Sequence, residues 1–232
     1  MIRNHKQVAI VLARGGSTRL PNKNLLEIDG KSLTLRAIEG ALSNNLHVIL
    51  SSDDQRILNS IDHPFVQRHE RSVENSSALS SSEQSVLEAI DTLQISDETE
   101  LLLLQPTSPF RTSLTVSRFL SEWSESSHTE NFDSAFSAFV DHSEYWNVSP
   151  SGNLRVRSEL NLGSSSQRSQ DRIPLYRENG AIYLTKAKRI RSGLRFINGN
   201  SFIFTCNFIE SIDIDTEEEF KFAQAISSSL GT

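Results

Sequence analysis

Residues 8–24 read VAIVLARGGSTRLPNKN, an apolar run followed directly by a glycine pair and several basic residues. Residues 8–12 predict a buried β-strand, because strands of a parallel sheet covered on both faces are continuously apolar. The glycines after it permit a tight turn and allow backbone N–H groups to approach an anion closely. This stretch therefore predicts an α/β sheet with an anion-binding loop at the carboxyl end of its first strand.

Apolar runs and amphipathic segments alternate outward from this stretch. Strands are predicted at residues 8–12, 47–50, 65–67, 101–104, 135–140, 181–185 and 202–205, and helices at 32–41, 54–60, 81–93, 112–123 and 216–227. Such alternation is typical of an α/β fold, so we expect one domain, residues 1–232, with a mainly parallel Rossmann-like sheet and helices on both faces. The pattern breaks at about 141–172, where Ser, Asn, Gly and Arg dominate. We interpret this segment as a small insertion in which residues 154–160 favour a hairpin arm.

Composition and charge argue against several classes of protein. The net charge is −6, with 23 Lys and Arg against 29 Asp and Glu, which argues against a nucleic-acid partner. Cations gathered in one cleft can still bind a small anion. The single cysteine, Cys206, excludes a disulfide within the chain and favours a reducing compartment. No apolar run approaches the roughly 18 residues of a membrane span and no signal peptide is predicted, so we expect a cytoplasmic protein without membrane association.

Cationic and hydroxyl side chains surround the glycine pair, Gly15 and Gly16. They are Arg14, Ser17, Arg19 and Lys23. This combination predicts a phosphate-binding loop, against the alternative of an ordinary turn that happens to carry basic residues. It is not a Walker loop, because that motif would require glycine at position 25, where Leu25 stands.

A proline-rich segment, residues 105–111 (QPTSPFR), follows the strand predicted at 101–104. The two prolines stiffen the chain, so we expect the Gln105 amide, two hydroxyls and Arg111 to form a rigid recognition surface. A purely structural turn is the alternative. Residues 51–54 (SSDD) follow another predicted strand, and the simplest interpretation is a cap for the next helix.

An acidic segment near the end of the chain, residues 212–219, reads IDIDTEEE. Residues two apart share a face of an extended chain, so Asp213 and Asp215 are predicted to point away from the core. Paired carboxylates suit Mg²⁺ when phosphate and water complete its octahedral shell. Thr216 and Glu219 have the spacing of a capping box, which is compatible with a metal site just before the helix.

Four segments together resemble the acylneuraminate cytidylyltransferases, also called CMP-sialic acid synthetases. The family patterns ARGGSKxxPxKN, QPTSPxR, ENGAIY and IDIDTEE correspond, in order, to residues 13–24, 105–111, 178–183 and 212–218. Thr18 departs from the family, which commonly has Lys there, and Ala78 lies near a position where relatives often carry Asp. Nearly the whole chain is covered by the resemblance.

The resemblance implies that CTP and a nine-carbon 2-keto sugar acid give the CMP-sugar and pyrophosphate, through attack of the anomeric hydroxyl on the α-phosphate. It implies Mg²⁺ on Asp213 and Asp215, and catalytic roles for Arg14, Lys23 and Asp215. The nucleotide contacts that it implies are Arg14, Gly15, Gly16, Ser17, Arg19, Lys23, Asn24, Arg71 and Ser82. The implied sugar contacts are Gln105, Arg168, Asn179 and Tyr183, with Arg172 as the alternative to Arg168 for the sugar carboxylate.

The resemblance also implies a homodimer, with the inserted segment as its arm. It leaves the sugar open, since sialic, legionaminic and pseudaminic acids are all possible. A cytidylyltransferase for another acidic sugar, such as the eight-carbon acid Kdo, is one alternative. A catalytically silent relative that binds nucleotide is another, and the departures at Thr18 and Ala78 are its support.

Overall fold

The computed structural model describes residues 2–76, 80–143, 145–148, 155–157, 168 and 172–231. The strands are β1 (Gln7–Leu12), β2 (Glu27–Ile28), β3 (Lys31–Ser32), β4 (His47–Ser52), β5 (Val66–Glu70), β6 (Glu100–Leu104), β7 (Ser134–Asp141), β8 (Trp146–Val148), β9 (Arg155–Arg157), β10 (Leu175–Lys186) and β11 (Ser201–Cys206). The α-helices are α1 (Leu33–Leu42), α2 (Gln55–Leu58), α3 (Ser82–Thr92), α4 (Ser113–Thr129), α5 (Ala187–Arg191) and α6 (Glu217–Leu230). Short 3₁₀ turns lie at Ile2–Asn4, Lys23–Leu25 and Glu74–Ser76.

Seven strands form one sheet in the order β11-β7-β10-β6-β1-β4-β5. Strands β6, β1, β4 and β5 are parallel, as are β7 and β11, whereas β10 runs antiparallel to both of its neighbours. The predicted mainly parallel sheet is confirmed. Since Ile182 pairs with Leu104 at the end of β6, the first half of β10 reaches the carboxyl edge of the parallel strands.

Helices cover both faces of the sheet, as the sequence predicts. Ala9 and Val11 of β1 face a core that contains residues of α1 and α4. Val8 and Ile10 face a second core formed with α3 and α5. All four side chains are fully buried, which explains the unbroken apolar sequence of the first strand. None of the helices in the described part of the chain combines the length and apolar character needed to cross a membrane.

Each of the five predicted helices begins one residue after its predicted start, because the predicted first residue is the N-cap. The caps are Ser32, Asp54, Ser81, Thr112 and Thr216, and each side chain accepts a hydrogen bond from a backbone N–H of the first turn. This contact satisfies an N–H that has no partner within the helix. The capping interpretation of residues 51–54 and of Thr216 with Glu219 is therefore confirmed.

A third, smaller core joins the beginning of the chain to its end. Leu20, from the loop after β1, lies in one apolar cluster with Ile212, Ile214 and Ala223. Ile212 and Ile214 are buried, as their alternation with the aspartates predicts. This cluster, which we call the end-joining core, places the acidic segment beside the glycine loop.

Several features of the fold were not predicted, among them the short pair of strands β2 and β3. Strand β10 begins at Leu175 rather than at residue 181, and its pairing with β7 shifts between Glu178 and Tyr183, where Gly180 adopts a φ of 75°. Strand β8 pairs with β9 inside the inserted segment, so a hairpin exists there, although its first strand was not foreseen. The short helix α5 carries too few residues for a helical apolar stripe.

Substitution of Phe119 tests the packing of the core between the sheet and α4. Its side chain is fully buried and packs edge to face on Phe204, with ring centroids 5.4 Å apart. Phe119→Ala is expected to lower the free energy of unfolding by about 3–5 kcal/mol, measured by urea denaturation. The matched control is Phe222→Ala on α6, whose side chain is 51% exposed; a comparable loss in both variants would contradict this packing.

Candidate active site

A cleft of about 410 Å³ opens at the carboxyl edge of the sheet, between the ends of β1 and β6. Its size is within the roughly 300–1,000 Å³ of small-molecule sites. The chain passes from β1 to β4 and β5 on one side and returns to β6 on the other, and ligands of α/β sheets bind at such a point. The cleft brings together these predicted nucleotide, metal and sugar contacts: Arg14, Ser17, Arg19, Lys23, Asn24, Arg71, Ser82, Gln105, Asp213 and Asp215.

Close packing requires glycine at only one of the two glycine positions of the loop. A Cβ at Gly15 would lie 2.8 Å from the Asp54 side chain, whereas one at Gly16 would meet no atom within 4 Å. The Gly15 N–H donates to Asp53 at 2.9 Å, which fastens the loop to the end of β4. Neither glycine lines the cleft in the part of the chain that the structure describes, so the side chains of the loop, rather than these glycines, face the ligand space.

Asp215 connects the acidic segment to the basic loop. Its carboxylate lies 2.6 Å from Arg19 Nη2 and 2.8 Å from Lys23 Nζ. Partial burial would raise the pKa of Asp215, but the hydrogen bonds and charges of these two cations outweigh that effect and lower it. Asp215 is therefore a stable carboxylate at neutral pH.

Asp213 has the opposite environment, although it is only two residues away. Its surface opens into the cleft, but surrounding protein desolvates the carboxyl group and the Asp215 charge adds repulsion, so the pKa of Asp213 is raised. The Ile214 N–H donates to the Thr107 carbonyl at 2.9 Å, which holds both aspartates against the proline-rich segment. The negative charges of Asp213 and Asp215 lie close together on the surface of the cleft, and they favour the binding of a cation there.

The described residues contain no cluster of three or more His, Cys, Asp or Glu side chains that would hold a metal ion unaided. Two carboxylates are nonetheless the usual protein share of a Mg²⁺ site, because phosphate oxygens and water supply the other ligands. The donor set of Asp213 and Asp215 therefore fits Mg²⁺ when a triphosphate is also bound.

Arg71 lines the cleft from the end of β5, and a buried network holds it there. Its guanidinium donates to the Ser51 carbonyl at 3.1 Å and to the Ser51 hydroxyl at 3.4 Å, and that hydroxyl also lies 3.0 Å from His69 Nδ1. Burial lowers the pKa of His69, which therefore stays neutral beside the guanidinium. Sequence reasoning interpreted the segment with Ser51 only as a helix cap and so missed its contact with Arg71. It also missed His69, which belongs to no recognisable motif.

The structure corrects the expectation for Arg111. The sequence places it on a recognition surface, but it is 3% exposed and donates to the backbone carbonyls of Gln105 and Ala181 at 2.7 and 2.9 Å. Burial lowers its pKa only to about 10, so the guanidinium remains charged. Arg111 thus ties the end of β6 to β10, and Gln105, Pro106 and Thr107 are the members of this segment that reach the cleft.

The predicted sugar contacts lie in different surroundings. Tyr183 lines a second cavity, which adjoins the cleft, and its hydroxyl donates to Glu178. Asn179 is buried in the β10 irregularity, where its oxygen accepts hydrogen bonds from the Ser137 hydroxyl and the Ala181 N–H. Both residues also border a third cavity, so their predicted contacts with sugar stay predictions.

Of the two arginines proposed for the sugar carboxylate, Arg168 is exposed and Arg172 donates to the His142 carbonyl at 3.0 Å. Neither lines the three cavities just described. Ala78, one of the two departures from the family, lies outside the described residues, whereas Thr18 lines the cleft.

Comparison with known proteins identifies the family to which the chain belongs. The sequence profile of the family described as cytidylyltransferase matches residues 8–227, almost the whole chain. The chain belongs to the cytidylyltransferase family. The resemblance based on the four motifs is therefore confirmed.

Two curated relatives illustrate the range within this cytidylyltransferase family. The chain is 29% identical over 222 residues to a CMP-N,N'-diacetyllegionaminic acid synthase of Legionella pneumophila, covering 90% of each chain. It is 25% identical over 220 residues to an N-acylneuraminate cytidylyltransferase of Streptococcus agalactiae serotype V, covering 93% of this chain. It spans only 52% of the length of that streptococcal protein.

A solved structure supports the fold. A CMP:2-keto-3-deoxy-manno-octonic acid synthetase complexed with CTP superposes with a TM-score of 0.70 and 17% identity, covering 97% of this chain and 100% of that one. At this identity the likeness concerns the fold of the cytidylyltransferase chain.

The buried histidine under Arg71 gives a pH prediction. Because burial lowers the pKa of folded His69 below the 6.5 of an unperturbed histidine, the unfolded state takes up a proton first as the pH falls. Stability is complete above that pH and declines below it. His69→Gln should reduce the difference in unfolding free energy between pH 7.5 and pH 5.5, while the exposed control His142→Gln should leave it unchanged.

An unaltered pH difference in His69→Gln would contradict the neutral, buried state of this side chain. Some pH dependence will persist in the variant, because burial lowers the pKa of His47 as well. Urea denaturation at the two pH values measures both effects.

Proposed function

We propose that the chain transfers CMP from CTP to an acidic nine-carbon 2-keto sugar and releases pyrophosphate. The observation that carries the proposal is the meeting of the basic loop and the acidic pair across one cleft, with Lys23 Nζ 2.8 Å from Asp215. The family and both curated relatives support cytidylyl transfer. The names of those relatives support a nine-carbon acid.

The basic loop accounts for binding of the triphosphate. Arg14, Arg19 and Lys23 bring three positive charges to the cleft, where they offset the charge of the phosphates, and Ser17 adds a hydroxyl donor. Asn24 acts less directly, since its amide donates to the Arg14 carbonyl at 2.8 Å and so shapes the loop.

Arg71 and Ser82 line the same cleft and suit the nucleoside. Cytosine offers a carbonyl and a ring nitrogen as acceptors, which match the guanidinium N–H donors and the serine hydroxyl. The hydrogen bonds from Arg71 to Ser51 fix the guanidinium before the nucleotide arrives. Such preorganisation lowers the entropic cost of binding.

Asp213 and Asp215 would hold a Mg²⁺ ion together with phosphate oxygens. When bound, this ion would supply positive charge that favours charge build-up on the leaving pyrophosphate. Lys23 and Arg19 form ion pairs with the Asp215 carboxylate. These cations therefore hold the segment that contains Asp213 and Asp215 in position. They are placed to bind the phosphates when CTP enters.

The sugar would bind in the adjoining cavity beside Gln105 and Tyr183. Its anomeric oxygen forms a bond to the α-phosphorus while the bond from that phosphorus to the bridging oxygen breaks, and pyrophosphate leaves. No protein nucleophile is needed, because positioning and electrostatics dominate phosphoryl transfer. The proton of the hydroxyl requires an acceptor, and Asp215, a carboxylate at neutral pH, is the one that the family resemblance implies.

We also propose a homodimer, in which the inserted hairpin of β8 and β9 reaches a second subunit, and a cytoplasmic location. Both follow from the family resemblance and the reducing compartment that the single cysteine favours. Size-exclusion chromatography with light scattering tests the dimer directly, and a monomer at micromolar concentration would remove this part of the proposal.

Pyrophosphate release tests the reaction. The chain is incubated with CTP, Mg²⁺ and one acid at a time: N-acetylneuraminic, N,N'-diacetyllegionaminic, pseudaminic or Kdo, with UTP and ATP as nucleotide controls. We expect CTP-dependent release with at least one nine-carbon acid. Release with Kdo alone would favour the eight-carbon alternative, for which the fold likeness to a Kdo synthetase is the supporting observation. No release with any acid, despite CTP binding, would favour the silent relative.

The variant Asp215→Ala tests the proposed role of Asp215 in the metal site. We expect kcat to fall at least about 10²-fold, by analogy with the loss of one preorganised electrostatic group. Glu218→Ala, an exposed acid three residues away, should change kcat less than twofold. Turnover at the wild-type rate, with the same Mg²⁺ dependence in Asp215→Ala, would remove this residue from the proposed metal site.

A further inference from the structure

The turn between β4 and α2, residues 51–54, lies alongside the basic glycine loop. Capping of α2 accounts for the last residue of this turn, but not for the contacts that the turn makes with the loop. The Ala13 N–H donates to the Ser51 carbonyl at 3.0 Å, and the Gly15 N–H donates to a carboxylate oxygen of Asp53 at 2.9 Å. The loop is therefore fastened to this turn at the point where it leaves β1.

Gly15 is the residue at which the loop turns toward the cleft. The Ser17 N–H donates to the Gly15 carbonyl at 3.1 Å, and Ser17, Thr18 and Arg19 all line the cleft. A Cβ on Gly15 would lie 2.8 Å from the Asp54 side chain, so this glycine packs closely against the turn. A displacement of Gly15 would therefore move the side chains that face the ligand space.

The other end of the loop is held by α2. Arg56 Nη2 donates to the side-chain oxygen of Asn22 at 2.9 Å and to Asp54 at 2.6 Å. The Arg56 side chain is 63% exposed, and a long side chain loses much rotamer freedom when it is held in one geometry. The shorter Asp53 side chain loses less, and its contact is made directly to the backbone. The Asp53 contact is therefore the better candidate for holding the loop.

Asp53 also lies among the cations of the cleft without lining it. Arg14 and Arg71 line the same cleft, and their charges repel each other. Burial lowers the pKa of Arg71 and the Arg14 charge lowers it further, whereas the Asp53 and Glu88 carboxylates act in the opposite direction. Asp53 lines none of the three cavities described above, so it touches the loop rather than an occupant of the cleft.

The charge and the hydrogen bond of Asp53 have opposite effects on a bound triphosphate. A carboxylate near the phosphates weakens binding through Coulomb repulsion. A hydrogen bond that fixes the loop before binding strengthens it, because less conformational freedom is lost when the ligand arrives. Removal of the side chain therefore changes the affinity for CTP in a direction that tells which effect is larger.

We propose that Asp53 is a positioning residue that holds Gly15, and with it the cationic side chains of the loop, in the arrangement that binds the triphosphate of CTP. This role rests on the CTP binding proposed above, and it assigns to Asp53 no contact with the nucleotide. The hydrogen bond to Gly15, rather than the negative charge, is what the role requires.

The test compares Asp53→Ala and Asp53→Asn with the wild-type chain by isothermal titration calorimetry with CTP and Mg²⁺, without sugar. Loss of the hydrogen bond in Asp53→Ala should raise the Kd for CTP about tenfold. Asparagine keeps a side-chain carbonyl that can accept from the Gly15 N–H, so Asp53→Asn should restore most of the affinity. In the pyrophosphate-release assay, the KM for CTP should follow the Kd, whereas the KM for the sugar should stay within twofold of the wild type.

Asp62→Ala is the matched control, because it removes the same charge from a fully exposed side chain that lies 3.5 Å from Arg68. Its Kd for CTP should stay within twofold of the wild type. Amide hydrogen exchange, followed by NMR without nucleotide, gives a second readout of the contact. The Gly15 amide should exchange faster in Asp53→Ala than in the wild type, and Asp53→Asn should slow it again.

The variant Gly15→Ala disturbs the same contact from the side of the loop. Its new methyl group would meet Asp54 at 2.8 Å, so the loop must shift, and the Kd for CTP should rise although Gly15 itself does not line the cleft. An unchanged Kd in Gly15→Ala would contradict the importance of this position.

The outcomes separate this proposal from the proposed function. A Kd for CTP in Asp53→Ala that is within twofold of the wild type or lower, or an Asp53→Asn that binds no more tightly than Asp53→Ala, overturns the role of Asp53 and leaves the proposed function intact. A wild-type chain that binds CTP but turns over none of the acids removes the proposed reaction, while the Kd values still decide the role of Asp53. A wild-type chain that does not bind CTP removes both.

Discussion

The contact between the two ends of the chain is the constraint on which the site depends. The end-joining core packs Leu20 against Ile212 and Ile214, and above it Asp215 pairs with Lys23 and Arg19 at 2.8 and 2.6 Å. The Arg19 side chain is 67% exposed, and exposed ion pairs contribute only about 0–1 kcal/mol to stability. We therefore attribute the approach of these distant segments chiefly to the apolar cluster. The ion pairs then set the orientation of the groups that face the cleft.

Local charge, rather than net charge, decides what this protein can bind. The chain carries a net charge of −6, yet Arg14, Arg19, Lys23 and Arg71 line one cleft. The buried and charged Arg111 lies directly behind it, with its guanidinium bonded to the Gln105 carbonyl. A low-dielectric wall strengthens the field of such cations. The cleft is therefore matched to a polyanion, and the acidic pair at its rim to the cation that accompanies a triphosphate.

Much of the fold and site could be predicted, because the informative signals were local. Continuous apolar strands and side-chain caps placed the sheet and helices, and strand ends gathered Arg14 and Gln105 at one edge. The errors concern long-range effects. The burial of Arg111 depends on the Ala181 carbonyl, 70 residues away, and the antiparallel direction of β10 depends on its pairing with β6 and β7. Local sequence patterns carry no information on such distant partners.

A crystal grown with CTP and Mn²⁺, the latter as an anomalous stand-in for Mg²⁺, gives the most direct test of the central claim. The account predicts triphosphate density along residues 14–23 and one anomalous peak within coordination distance of Asp213, Asp215 and a phosphate oxygen. A triphosphate bound away from that loop, or a metal peak that touches neither aspartate, would contradict it.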